Sequence, residues 1–189
     1  MHSGRFRVLL DACVLYPAPI RDLLLSLAEG QLYQPLWSHD IQEEWKRNLL
    51  VNRPDLTETQ LNRTISAMNA AFRSANVSNY GQFIQSVTLP DENDRHVVAA
   101  AIKGKADVIV TFNLKDFPSN ELSPLNIEVV HPDKFILNVI DLDESAAGVC
   151  FEKMVNRLKN PPLTATDVLS ALEKTGIERG SARLRKLVM

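Results

Sequence analysis

Residues 90–117, PDENDRHVVAAAIKGKADVIVTFNLKDF, join an acid-rich helix start to a buried strand. Counted from Asp94, the positions three, four and seven residues on are Val97, Val98 and Ala101. Helical geometry therefore predicts that the Asp94 carboxylate lies on the apolar face of this helix. An ionised carboxylate facing a core is unfavourable unless it caps a helix, pairs with a cation or binds a metal. The stretch thus predicts a partner for Asp94 elsewhere in the chain.

Two apolar runs end on polar side chains that could meet Asp94. The run RVLL at residues 7–10 is typical of a buried parallel strand, and Asp11 follows it. A second run, residues 106–111, ends on Thr111. In open parallel sheets, functional groups gather beyond the carboxyl ends of the strands, beside the point where the strand order reverses. If these two strands are neighbours, both ends and Asp94 lie at the same edge of the sheet.

Alternating strands and helices predict an α/β fold, specifically a three-layer fold whose five-stranded parallel sheet is flanked by helices. The predicted strands are residues 7–11, 33–37, 84–89, 106–111 and 127–130.

The length of 189 residues, with 45% apolar content, is enough for one full core plus an appendage. From residue 141 onwards the pattern predicts helices only. We therefore expect one domain over residues 1–140 and a small helical C-terminal extension over residues 141–189.

The charge balance and the cysteines limit the class of protein. Twenty-one basic and 23 acidic residues give a formal net charge of −2, which argues against binding of nucleic acid by bulk charge. No apolar run is typical of a signal peptide or of a membrane span. Cys13 and Cys150 show no metal-ligand spacing, and we interpret both as reduced. The sequence predicts a soluble, cytoplasmic protein that makes no use of a membrane.

The helix after the second strand supplies another acid. Ser38 is placed to cap this helix, and Ile41 marks its apolar face. Glu43 can pair with Arg47 four residues on, which is the usual arrangement on a solvated face. Glu44 lies nearer the apolar face, so Glu44 is the better candidate for a pocket.

We expect Asp11, Glu44, Asp94 and Asp116 to converge at the sheet edge as catalytic residues. Carboxylates that close together raise one another's pKa unless a divalent cation neutralises them, and oxygen ligands are those that Mg²⁺ or Mn²⁺ prefers. We take Asp11, Asp94 and Asp116 as metal ligands. A bound ion of this kind could activate water and stabilise the transition state of RNA phosphodiester hydrolysis.

Four further residues are expected to support this site. Thr111 and Asn113 orient the ligands or bind them through water. Arg95 and Lys115 are candidates for contact with RNA.

From about Arg7 to Ile140 the chain resembles a PIN domain, the nuclease fold of VapC-type toxins in toxin–antitoxin modules. The resemblance is carried by the strand ending on Asp11, by Glu44, by DENDRHVVAAA around Asp94 and by TFNLKDF at residues 111–117.

The resemblance implies a metal-dependent endoribonuclease, a cognate antitoxin protein and a homodimer. The sequence departs from the family at Asn113, where many members carry a fourth acid. Asp116 is expected to supply that charge instead.

Two other classes of protein stay open. A phosphatase with an aspartyl nucleophile would need a second acid two residues after Asp11, where this chain has Cys13. A catalytically silent domain that binds RNA or a protein partner is compatible with Asn113.

Three other features receive ordinary structural interpretations. Asp91 reads as a helix cap and His96 as a polar surface residue. The basic tail with Arg183 and Arg185 reads as a solvated face, with contact to RNA or antitoxin as the alternative.

Overall fold

The structure is a computed structural model that describes residues 6–188. The first residues of the predicted domain 1–140 and the last residue of the predicted extension 141–189 therefore lie outside the described part. Within the described part, no helix is both long enough and apolar enough to cross a bilayer.

Five parallel strands form one sheet in the order β3-β2-β1-β4-β5. The strands are β1 Arg7–Leu10, β2 Gln34–Ser38, β3 Asn76–Val77, β4 Val108–Val110 and β5 Glu128–Val130.

Eleven α-helices accompany the sheet within residues 6–188. They are α1 Ala12–Leu15, α2 Ala18–Glu29, α3 His39–Asn52, α4 Glu58–Ala71, α5 Gly81–Ile84, α6 Arg95–Gly104, α7 Ser119–Leu122, α8 Pro132–Leu142, α9 Glu144–Arg157, α10 Ala165–Lys174 and α11 Glu178–Val188. Short 3-10 helices cover Glu92–Asp94, Leu114–Asp116 and Ser123–Leu125.

The sheet confirms the α/β fold and the expected neighbours. β1 pairs with β4 in parallel, with Leu10 opposite Val110. The chain continues from β1 to β2 on one side, whereas β4 lies on the other side, so the strand order reverses at β1. This edge of the sheet is where α/β proteins usually place their ligands.

The third strand was predicted wrongly. Residues 84–89 contain the end of α5 and turns, while β3 is only the pair Asn76–Val77 beside β2. Val87 and Leu89 are buried and Thr88 is exposed, which imitates the alternation of a strand. A two-residue strand is too short to show any periodicity of its own.

Two compact units make up the chain. The sheet unit comprises Phe6–Tyr16 and Pro35–Val130. The helical unit comprises residues 17–34 and 131–188 of the described part. A domain boundary after residue 140 stays a prediction about independent folding, which this grouping does not test.

In the helical unit, α2 packs against α9 and α10, and α11 packs against α8, α9 and α10. Two of the four basic side chains of α11 form ion pairs there. Arg183 pairs with Glu144, and Arg185 pairs with Glu173 at 2.6 Å. These two arginines of the tail therefore already have acidic partners within the same unit.

Candidate active site

Asp11 lies between β1 and α1 as the N-cap of α1, and both of its carboxylate oxygens accept hydrogen bonds. Its Oδ1 accepts from the Ala12 N–H at 2.7 Å, and its Oδ2 accepts from the Thr111 hydroxyl at 2.7 Å. The Cys13 thiol donates to the same Oδ2 at 3.2 Å. The side chain is only 5% exposed. Burial raises the pKa of Asp11, the three hydrogen bonds oppose this, and the charge of Glu44 raises it further.

Thr111 lies at the end of β4, and its hydroxyl links the two strand ends. It donates to Asp11 and accepts from the backbone N–H of Asn113 at 3.0 Å. The Cys13 sulfur lies 3.3 Å from the same hydroxyl. Thr111 is fully buried, so its hydroxyl orients Asp11 as a fixed donor. The predicted supporting position of Thr111 beside Asp11 is what the structure shows, whereas its role in catalysis stays a prediction.

Asp94 lies at the junction of the 3-10 helix Glu92–Asp94 and α6, as the N-cap of α6. Its backbone dihedral angles are still in the right-handed helical region. Its side chain makes no capping hydrogen bond. Burial raises the pKa of Asp94 to about 6, and the charges of Asp11, Asp91, Asp116 and Glu44 add to this. The negative charges of several other acids therefore act on this carboxylate. That these acids share a site stays a prediction.

Glu44 lies on α3, and its negative charge acts on both Asp11 and Asp94. Its Oε2 lies 3.6 Å from His96 Nε2. Burial lowers the pKa of His96, but the hydrogen bond and charge of Glu44, with Asp40 and Asp11, outweigh burial and raise it overall. Among the described residues, His96 Nδ1 has no hydrogen-bond partner. His96 is therefore part of this region rather than the surface residue that was predicted.

Glu43, the neighbouring acid, is engaged differently from the prediction. It pairs with Lys46 at 2.7 Å and not with Arg47. Lys46 also approaches Glu58 of α4 at 3.7 Å and is buried, so the ion pair lies where α3 meets α4.

Asp116 ends the 3-10 helix Leu114–Asp116 and is half-buried. Its charge reaches Asp94, which places Asp116 in the same group of acids. Asp11, Glu44, Asp94 and Asp116 are called the acid cluster below. They come from four separate segments of the sheet unit, which explains why spacing in the sequence alone could not show their grouping.

An open cavity of about 620 Å³ lies over this region. Asp11 does not line it. Its lining residues are Asp40, Glu43, Glu44, Arg47, Asp91, Asn93, Asp94, His96, Asn113 and Asp116. We call it the acidic cavity, because six of these ten residues are acids.

Sequence reasoning missed six of the ten lining residues as site residues, namely Asp40, Glu43, Arg47, Asp91, Asn93 and His96. Asp40, Glu44 and Arg47 follow one another at four- and three-residue intervals on α3, so a helical projection places them on one face. Asp40 is oriented by the Tyr80 hydroxyl, which donates to its Oδ2 at 2.5 Å. The spacing was visible in the sequence, but no apolar residue marked this face as part of a cavity.

The two predicted RNA contacts have different surroundings. The Arg95 guanidinium donates to Glu92 at 2.9 Å, and Arg95 does not line the acidic cavity. Lys115 is exposed beside Asp116 and does not line the cavity either. Contact of either residue with RNA stays a prediction.

The carboxylate oxygens of the acid cluster are ligands that suit a hard divalent cation. The side chains are not arranged around one common point where such an ion could sit. Within residues 6–188, no set of three or more His, Cys, Asp or Glu side chains is placed to hold a metal ion as it stands. The acid cluster offers only carboxylate oxygens, which suit Mg²⁺ or Mn²⁺ rather than zinc. Burial contributes most to the raised pKa of Asp94, and the negative charges of Asp11, Asp91, Asp116 and Glu44 add to it.

Two family models match parts of the chain. A family model described as PIN domain matches residues 7–115, which is more than half of the chain. A second model, described as VapC50 C-terminal domain, matches residues 132–186.

One curated relative is "Putative ribonuclease VapC50" of Mycobacterium tuberculosis, 43% identical over 94 residues. The match covers 50% of this chain and 55% of the relative, so it spans only about half of the relative's length. No solved structure matches the chain at a significant level.

Proposed function

The chain belongs to the PIN-domain family, and from this premise we propose that it is a metal-dependent endoribonuclease that hydrolyses RNA phosphodiester bonds at the acid cluster. The observation that carries the proposal is the convergence of four carboxylates at the carboxyl ends of β1 and β4. Burying uncompensated acids together is unfavourable for folding. The presence of these four acids in one region therefore favours a role in binding a cation and a substrate.

We propose Asp11, Asp94 and Asp116 as the residues that hold Mg²⁺ or Mn²⁺. When bound, such an ion supplies an activated water and neutralises charge on the phosphodiester. Asp11 is suited to a fixed ligand, because its hydrogen bonds to Ala12 and Thr111 set its orientation. Asp94 makes no capping bond, so its oxygens are available to an ion.

Glu44 has a separate role in this proposal. The Glu44 carboxylate is half-buried at the acidic cavity, and His96 lies 3.6 Å from it. A carboxylate oriented in this way can accept a proton from the attacking water. Asn113 lines the cavity with a neutral amide, and its backbone N–H donates a hydrogen bond to the Thr111 hydroxyl.

We further propose that a cognate antitoxin inhibits the chain by placing a basic side chain, most suitably Arg, in the acidic cavity. An Arg guanidinium forms bidentate pairs with carboxylates and so could replace the cation among these acids. The cavity is open and lined mainly by acids, which suits such a side chain. A structure of the complex in which the cavity holds no antitoxin side chain would contradict this part of the proposal. The toxin role also implies a cytoplasmic location and is compatible with a homodimer.

The direct test is cleavage of single-stranded RNA by the purified chain with Mg²⁺ or Mn²⁺ and in excess chelator. We expect cleavage with either ion, none in chelator, and an increase of the thermal midpoint when the ion is added. Equal cleavage in chelator would refute a metal mechanism. RNA binding without cleavage in either ion would favour the silent, RNA-binding class instead.

A further inference from the structure

Arg47 has a distinct position in the acidic cavity. It follows Glu44 by three residues on α3, about one helical turn or ~4.5 Å along the axis. The cavity is lined by six acids, two asparagines and His96, together with Arg47 as the single Arg or Lys. A permanently charged cation therefore lies beside the acid cluster.

The two acids closest to Arg47 along α3, Glu43 and Glu44, have other partners. Glu43 pairs with Lys46 at 2.7 Å, and Glu44 lies 3.6 Å from His96. Arg47 is exposed and makes no ion pair or side-chain hydrogen bond with any residue of the described range 6–188. Its guanidinium is therefore available to a ligand that enters the cavity.

The charge of the cavity makes such a cation necessary for an RNA substrate. A phosphodiester carries one negative charge, and the six acids of the lining repel it. An ion held at the acid cluster attracts the phosphate that is cleaved, but an RNA strand brings neighbouring phosphates as well. A guanidinium presents a planar set of donors that matches phosphate oxygens in a bidentate pair.

We propose that Arg47 binds an RNA backbone phosphate next to the one that is cleaved and so positions the strand across the acid cluster. This inference rests on the proposed function and names a positioning residue for it. Arg95 is less suited to this role, because its guanidinium is paired with Glu92. Because Arg47 is exposed, phosphate binding requires no rearrangement of the core.

Binding of a non-cleavable RNA tests this role independently of catalysis. The probe is a fluorescein-labelled single-stranded RNA with phosphorothioate linkages, which keep the negative charge of the backbone and resist hydrolysis by water. Its binding is measured by anisotropy in Mg²⁺ over a range of salt concentrations. Arg47→Ala should weaken binding about 10-fold. It should also reduce the slope of log K against log salt by about 0.7, as expected for one lost phosphate contact on a single strand. Arg47→Lys should retain the slope and lose only part of the affinity.

Arg73→Ala is the matched control. Arg73 is also exposed and also lacks an ion pair within residues 6–188, but it does not line the acidic cavity. Its removal changes the net charge by the same amount, so affinity and salt slope should stay at the wild-type values. An equal loss in both variants would show a general charge effect and overturn the proposal.

Steady-state cleavage separates failure of this inference from failure of the proposed function. Arg47→Ala should raise KM about 10-fold and leave kcat and the Mg²⁺-induced thermal shift unchanged. If the wild type cleaves RNA but Arg47→Ala matches it in KM, Kd and salt slope, the role of Arg47 is refuted and the proposed function stands. If the wild type does not cleave, the proposed function fails, and unchanged binding of the non-cleavable strand by Arg47→Ala would refute the phosphate contact as well.

Discussion

Asp94 and Asp133 are both helix-start acids, but their surroundings differ. In the helical unit, Asp133 is 9% exposed, and its Oδ1 accepts from the Gly180 N–H at 2.7 Å while its Oδ2 accepts from the Arg179 N–H at 3.3 Å. Both donors belong to the first turn of α11. In the sheet unit, Asp94 makes no capping bond, and the charges that act on it come from four other acids.

The comparison separates structural acids from functional ones. A carboxylate that receives backbone N–H groups at a helix start stabilises the fold through hydrogen bonds and the helix dipole. A carboxylate surrounded by like charges destabilises the metal-free fold. The hydrogen bonds of Asp133 therefore account for its position as a structural residue. Asp94 has no such bonds, so we expect its carboxylate to bind a ligand.

The largest expected effect is on catalysis. Asp94→Asn and Glu44→Gln should each lower kcat for RNA cleavage at least about 100-fold, because each removes a carboxylate that acts at the reacting phosphate. Glu43→Gln is the matched control on the same helix, since its carboxylate is engaged by Lys46. Single-turnover cleavage in Mg²⁺ measures the three variants. A loss in Glu43→Gln equal to that in Glu44→Gln would show that the two adjacent acids were assigned incorrectly.

The second effect concerns stability in the helical unit. Asp133→Ala should lower the free energy of unfolding by about 2 kcal/mol, because the N–H groups at the start of α11 lose their acceptors. Denaturant unfolding with and without Mg²⁺ measures this loss. The Mg²⁺-induced stabilisation should stay at the wild-type value, and its disappearance in this variant would mean that Asp133 is not purely structural.

Asp116 decides whether the cluster holds three acids or four. Asp116→Asn should weaken the apparent Mg²⁺ affinity about 10-fold, if it supplies the charge that Asn113 lacks. Thermal shift against Mg²⁺ concentration measures the affinity. Asp91→Ala is the control, since Asp91 also lines the cavity but caps the Asn93 N–H at 2.8 Å. An unchanged Mg²⁺ response in Asp116→Asn would reduce the site to three acids.

The smallest expected effect is a gain in stability. In excess chelator, Asp94→Asn should raise the free energy of unfolding by about 1 kcal/mol at neutral pH, after allowance for solvent screening of a half-buried group. The pKa of Asp94 rises from 3.8 to about 6 on folding, so its stabilising contribution is present below pH 3.8 and is lost as the pH rises through 6.

The advantage of Asp94→Asn should therefore be absent near pH 4 and fully developed above pH 6. Chemical unfolding at both pH values measures it. A constant difference between variant and wild type at both values would show that charge repulsion is not its cause.

Local features of the fold were predictable because they depend on neighbours in sequence. Ser38 caps α3 through its hydroxyl, and Thr57 forms the expected capping box with Gln60. Thr164 caps α10, which covers the predicted residues 165–174. Apolar runs located β1 and β4, since buried parallel strands need continuous apolar residues.

The failures arose where distant residues decide the structure. β3 depends on pairing with β2, so its two residues carry no signal of their own. Helical spacing allows Glu43 to pair with either Lys46 or Arg47. The choice of Lys46 goes with its position against α4, where it also approaches Glu58. His96 approaches Glu44 because α6 and α3 are brought together in space.

By itself, the sequence determined that acids or hydroxyls follow buried strands, at Asp11 and Thr111, and that Asp94 begins a helix. These features were predictable because the patterns that indicate strands and helices depend on residues close together in the sequence. Only the tertiary structure decided which acids share a field, which of them have cationic partners and that Arg47 has none among residues 6–188. The reason is physical: electrostatic interaction depends on distance in space, and the folded sheet brings together residues that the chain keeps far apart.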